Sequence, residues 1–194
     1  MGEPQARIAR ILQPIRDEDN TGPQFTTDRG TLAHNPAVAD IETLPDALSA
    51  EECERIVQAA KGLQASGGRI PRSDDTRWIY ERVAQVFERA NRRFRFRVVG
   101  IIEEVMVGAY SATGNPPWQV DCAHNFTANR KLSLSLHLTG GPDGARLEFA
   151  GRELGPVGAG TAVVYPSFLA HRVNPLAAEA RAALVAFAYG PTFE

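Results

Sequence analysis

The sequence predicts a mainly β domain of the sandwich or jelly-roll class, with two helices packed on one sheet. Three observations carry this. Two segments before residue 92 repeat apolar residues at helical spacing. From Phe94 onward, short apolar runs are separated by Gly and Pro clusters such as 114–117 and 140–144. Residues 132–139 alternate strictly, with Leu132, Leu134, Leu136 and Leu138 on one face and Ser133, Ser135, His137 and Thr139 on the other.

Residues 1–37 are polar and weakly periodic and read as an irregular arm, with one strand near Phe25; residues 38–194 read as the domain. A short strand is expected over 38–44. Ser49 and Glu52 have the spacing of a capping box, which opens a helix near 50–62 with Ile56, Val57 and Ala60 on one side. Asp74 or Asp75 starts a second helix near 75–91, with Ile79, Val83, Val86, Phe87 and Ala90 on its apolar stripe and Asn91 closing it. Strands are then expected from Phe94 to Val98 and over 101–110, 132–138, 147–149, 161–165 and 182–189. The leucine face of 132–138 belongs beneath the helices, because their stripes need a sheet to cover them.

Composition narrows the function classes. With 43% hydrophobic residues the 194-residue chain can bury a sizeable core, and a formal charge of -2 does not suit a nucleic-acid binder. The cluster Arg92, Arg93, Arg95 and Arg97, alternating with Phe94 and Phe96, reads as the solvent face of a strand. Cys53 and Cys122 are too few for a disulfide scaffold and lack zinc-ligand spacing. No apolar run suits a signal peptide or membrane span, and Ala6 stands where a myristoylation motif needs Ser or Thr. A soluble cytoplasmic protein is the expectation; the oligomeric state is not legible.

Three separated features could carry chemistry together. Gln119 and Asp121, at i and i+2 of an extended segment, project to one side. His171 follows an apolar strand, and a distant His with a carboxylate makes two arms of a non-heme iron site. Arg181 opens the last strand and is suited to bidentate capture of a carboxylate. Singly, each has an ordinary explanation: an Asp capping a turn, a structural His, a surface ion pair.

Together they resemble a known family. Tyr110, Gly114 and Trp118-Gln119-Val120-Asp121 are similar to the Tyr, Gly and Trp-His-x-Asp segment of iron(II)/2-oxoglutarate dioxygenases of the prolyl-4-hydroxylase-like, PKHD-type branch. Arg130-Lys131-Leu132-Ser133-Leu134-Ser135-Leu136, Tyr165-Pro166-Ser167-Phe168, His171-Arg172-Val173 and the stretch from Arg181 to Pro191 follow in the same order, so the resemblance covers roughly residues 40–194. It implies a cupin-like double-stranded β-helix with N-terminal helices on its major sheet. It also implies a hydroxylase using Fe(II), 2-oxoglutarate and O2 on a small-molecule or peptide substrate, with succinate and CO2 as coproducts. By position, Asp121 and His171 are implied iron ligands, Arg181 and Tyr110 hold 2-oxoglutarate, and Ser133 faces it. Ser135 and His137 then line the cavity, and Trp118, Arg72, His124 and Asn125 are candidates for the substrate mouth.

Two positions depart from the pattern. Ala183 stands where Ser is frequent, and Gln119 stands where the family has its first iron-binding His. An amide oxygen is a weaker iron donor than imidazole. Gln119 ligates weakly, a water fills its place, or His124 or His137 substitutes. The rival readings are a non-catalytic, metal-poor relative and a metal-dependent enzyme without 2-oxoglutarate.

Overall fold

Strand β5, Arg130–His137, sets the architecture of the computed structural model, which describes residues 41–63, 68–110, 117–123, 125–140, 146–150, 152–155, 157–174 and 181–192. The arm 1–37 with its strand near Phe25, residues 38–40, the turns 114–116 and 141–144, and His124 lie outside the described residues. Leu132, Leu134, Leu136 and Leu138 are all buried on the helix side. Ser133, Ser135 and His137 are buried on the other side, where the pleat turns them inward.

The partners of β5 are β8, Ala162–Pro166, and β10, Arg181–Tyr189. Beyond these lie β1, Glu42–Leu44, beside β8, and β4, Val105–Tyr110, beside β10; β2, Arg69–Ile70, pairs with β4. The short β3, Gly100–Ile101, pairs with the end of β10 and completes a seven-stranded antiparallel sheet. A smaller sheet has β6, Arg146–Phe149, between β7, Arg152–Glu153, and β9, His171–Asn174. Ile41, Leu147, Phe149, Leu154, Val163 and Tyr165, drawn from both sheets and their edges, fill the space between them.

Helices cover the outer face of the large sheet. α1, Ala50–Ala59, begins as expected: Ser49 Oγ accepts from Glu52 N at 3.1 Å, and the Glu52 carboxylate accepts from Ser49 N at 2.8 Å. Arg82 of α2, Arg77–Phe94, reaches the same carboxylate at 2.8 Å and ties the helices together. Burial alone would raise the Glu52 pKa; the Ser49 amide and Arg82 outweigh it and hold the carboxyl below its ordinary value.

Two expectations are corrected here. α2 runs through Phe94, so no strand starts there, and Arg95 ends the helix in a left-handed conformation (φ 58°). Asn91 does shape that end, since its side chain accepts from Phe96 N at 2.9 Å and donates to Phe96 O at 2.8 Å. Phe94 continues the helical stripe one turn beyond Ala90 and packs against the core. The expected strand 101–110 is broken between β3 and β4, and the break carries Glu103.

Candidate active site

A two-residue contact between otherwise separate segments assembles the site. Gln119 and His171 exchange both backbone hydrogen bonds at 2.9 Å, so the extended segment around 119 is fixed to β9. The amides of Asp121 and Cys122 then donate to Ser167 O at 2.9 and 3.1 Å, and Arg130 Nη1 donates to Asp121 O at 3.0 Å. Asp121 is thereby held from both sides by main-chain contacts, and its carboxylate is left to face His171.

The His171 ring is buried and oriented. Nδ1 lies 3.0 Å from Leu169 O, an acceptor only, which assigns the ring proton to Nδ1 and leaves a lone pair on Nε2. Around Nε2 converge the Tyr165 hydroxyl at 3.2 Å, the Gln119 amide at 3.4 Å and Asp121 Oδ2 at 3.7 Å. Phe149 closes the back, its ring 4.9 Å from that of Tyr165 and 6.0 Å from that of His171. Asp121 Oδ2 is buried and has no hydrogen-bond partner among the described residues. Leaving such an oxygen unsatisfied costs about 1–3 kcal/mol, a cost that a positive ligand at that atom would remove. An imidazole lone pair, a carboxylate oxygen and an amide whose oxygen can be turned inward suit a divalent cation. Among the described residues no group of three His, Cys, Asp or Glu side chains is placed to hold a metal ion.

The remaining candidates fall on several parts of the barrel. Arg181 and Tyr110 are direct register partners in the β10–β4 ladder, which brings the two implied cosubstrate residues to one level of the sheet. Ser133 Oγ donates to Ser167 Oγ at 3.0 Å, beneath the Asp121 anchor. Ser135 lies opposite Val163 and Val185, with its buried hydroxyl unpartnered among the described residues, and His137 lies opposite Ala183. Trp118 is half-buried under the Arg172 guanidinium, 4.7 Å from its ring. The Asn125 side chain accepts from Thr127 N at 3.0 Å and caps the 3-10 turn Phe126–Asn129. Arg72 stacks on Tyr80 at 4.0 Å and donates to the carbonyls of Ile101 (2.6 Å) and Glu103 (3.3 Å). Its contacts therefore support the break between β3 and β4 that carries Glu103.

Sequence reasoning missed Tyr165 and a charged cluster behind Asp121. Arg130 pairs with both Glu103 oxygens at 2.6 Å, lies 3.6 Å over the Phe187 ring and is nearly buried. The Tyr189 hydroxyl donates to the same carboxylate. Burial, reinforced by Glu103, pushes that hydroxyl up to about 12, so it stays a donor at physiological pH. No motif marks this cluster; the only signal was Arg130 at the head of the alternating strand.

No sequence-family model and no curated protein matches the chain. Solved structures do. A Pseudomonas putida prolyl-4-hydroxylase is 20% identical, with a TM-score of 0.63 over 80% of this chain and 90% of that one. The viral collagen prolyl hydroxylase of Paramecium bursaria Chlorella virus-1 is 16% identical, with a TM-score of 0.60 over 86% and 99%. A Burkholderia pseudomallei oxidoreductase of the 2OG-Fe(II) oxygenase family is 20% identical, with a TM-score of 0.57 over 77% and 84%. The two facing sheets with helices on the larger are therefore the double-stranded β-helix, in the form that the prolyl-4-hydroxylases and 2OG-Fe(II) oxygenases share.

Proposed function

We propose that this protein is an iron(II)- and 2-oxoglutarate-dependent oxygenase whose metal is held by His171 Nε2, Asp121 Oδ2 and the Gln119 amide oxygen. The observation that carries this reading is the buried, unpartnered Asp121 Oδ2 facing an oriented imidazole. With the cofactors bound, 2-oxoglutarate and O2 give succinate and CO2, and one oxygen atom is inserted into a C–H bond of a second substrate. The chain's own parts have defined tasks. Leu169 O fixes the imidazole tautomer, Ser167 O and Arg130 hold the Asp121 backbone, and Phe149 keeps water from the back of the site. Arg181, across the ladder from Tyr110, is the anchor we assign to the distal carboxylate of 2-oxoglutarate.

Anaerobic titration with Fe(II) and 2-oxoglutarate tests the assignment by its weak visible charge-transfer band, followed by succinate measurement in air. The Gln119→His variant is expected to bind iron(II) more tightly and to turn over more 2-oxoglutarate, because imidazole is the better donor at a position whose backbone is already fixed to His171. Wild type without the band, and a variant that gains it, would identify a metal-poor relative instead. Arg181→Ala is expected to weaken 2-oxoglutarate binding by about 2 kcal/mol or more; equal calorimetric affinities would remove Arg181 from the role. No helix among the described residues is long and apolar enough to cross a membrane, and the two cysteines are free. Cytoplasm is the compartment that fits this chemistry, and a small molecule or peptide is the substrate it admits.

A further inference from the structure

Among the described residues, four large apolar side chains are exposed: Val99 (71%), Ile102 (61%), Phe126 (60%) and Phe168 (38%). All four stand at one end of the barrel, where β5 begins and β10 finishes. Phe126 stacks on Tyr189 at 6.2 Å, and the Val99 amide donates to Tyr189 O at 2.7 Å. Ile102 follows β3, whose Ile101 pairs with Ala188. Phe168 meets Phe96 edge-on at 6.4 Å. Gly190 joins the two sides, since a Cβ there would lie 2.1 Å from Arg97 O; the segment 95–99 therefore runs directly over the end of β10.

The metal pair lies at this end. Phe168 follows Ser167, the residue that anchors Asp121, and Phe126 opens the turn leading into Arg130, which holds Asp121 from the other side. The end is also positively charged, against a whole chain of -2. Arg92, Arg95 and Arg97 are exposed and have no ion-pair partner among the described residues, whereas Arg93 pairs with Glu42. The nearby acidic groups are Asp121 beside His171, Glu103, already held by Arg130, and the exposed Glu104 and Glu88, the last one helical turn before Arg92.

We propose that this end of the barrel is a docking rim for a polypeptide segment bearing acidic and large apolar side chains, and that such a segment is the substrate class of the oxygenase. The second half rests on the function proposed above; the first does not. Clustered apolar side chains beside guanidinium groups that have no ion-pair partner among the described residues match a partner that supplies carboxylates and apolar anchors. Strand addition is disfavoured, because Arg72 already holds the Ile101 and Glu103 carbonyls. Single-stranded nucleic acid fits less well. Val99 and Ile102 have no ring for a base, Phe94 and Phe96 stack on each other at 6°, and Phe126 has Tyr189 on one face.

The test is selection of short random peptides displayed on phage against the full chain, followed by fluorescence anisotropy with the selected peptides. Peptides enriched in Asp or Glu together with Leu, Phe or Ile are expected. Their affinity is expected to fall about tenfold in Arg95→Glu with Arg97→Glu, and again in Phe126→Ser with Phe168→Ser, as for truncation of interface anchors. Raised salt should weaken the first contribution and spare the second. Arg95 and Arg97 are exposed, so iron(II) and 2-oxoglutarate binding and the melting temperature of the charge variant are expected to match wild type. Phe126 stacks on Tyr189 and lies 5.9 Å from Arg130, so the phenylalanine variant is expected to lose some stability. Its loss of peptide binding is read at a temperature where it is folded and still binds iron(II). No acidic enrichment, undiminished binding by both variants, or tighter binding of oligothymidylate than of any peptide would overturn the proposal. Intact iron binding with no peptide binding removes the rim alone; peptide binding without iron binding removes the oxygenase reading alone.

Discussion

Arg130→Ala is expected to lower the unfolding free energy by about 3 kcal/mol or more, the scale of a buried ion pair broken on one side. Arg130 and Glu103 are only 13% and 12% exposed, so solvent cannot take over the orphaned carboxylate, and Tyr189 would be its remaining donor. The same substitution removes the donor to Asp121 O, and iron(II) affinity is expected to drop about tenfold, as when groups behind metal ligands are lost. The two effects separate in the double variant Arg130→Met with Glu103→Gln. It leaves no buried charge unpaired and still offers Tyr189 an acceptor, so stability is expected to return largely to wild type. Metal affinity is expected to stay low, because nothing restores the bond to Asp121. Wild-type iron affinity in the double variant would show that Arg130 is structural only.

The second large effect is expected in the core. Leu136 is fully buried between the helices and the sheet, with Leu184 and Ala162 as its cross-strand neighbours. Leu136→Ala is expected to cost about 3 kcal/mol, the sum of lost burial and the cavity left behind. Leu136→Met, which nearly conserves volume, is expected to cost less than about 1.5 kcal/mol. Urea unfolding with an unchanged m-value is the measurement. A loss below about 1 kcal/mol for the alanine variant would mean that the neighbours collapse into the space.

Much of this layout was legible because it rests on local rules. The alternation of Leu132 to Thr139 dictates a two-faced strand, and both faces lie where that pattern requires. Ser49 and Glu52 cap a helix start through contacts three residues apart. Asp121 and His171 come together as the motif order implied, and Gln119 stands beside them. What escaped reading is non-local or ambiguous. Arg-Phe alternation after Asn91 fits period two, while Phe94 also continues the helical stripe, and packing against the core decided for the helix. The Arg130–Glu103–Tyr189 cluster joins residues 27 and 86 positions apart, and Tyr165 reaches His171 around a turn. Nothing in residue type or spacing announces such contacts.

The position of β10 in the large sheet has a consequence for synthesis. It is the last described strand, yet it sits between β5 and β4. A nascent chain that has released β4 and β5 exposes the facing edges of both until residues 181–189 emerge. Its alternating Leu–Ser segment would meanwhile have β8 as its only ladder partner. Half-built sheets with open, apolar edges are the species that aggregate. Any delay before residues 181–189 leave the ribosome is thus expected to lower soluble yield, because β4 and β5 are already outside with their edges open. The barrel closes only once β10 has been threaded into the middle.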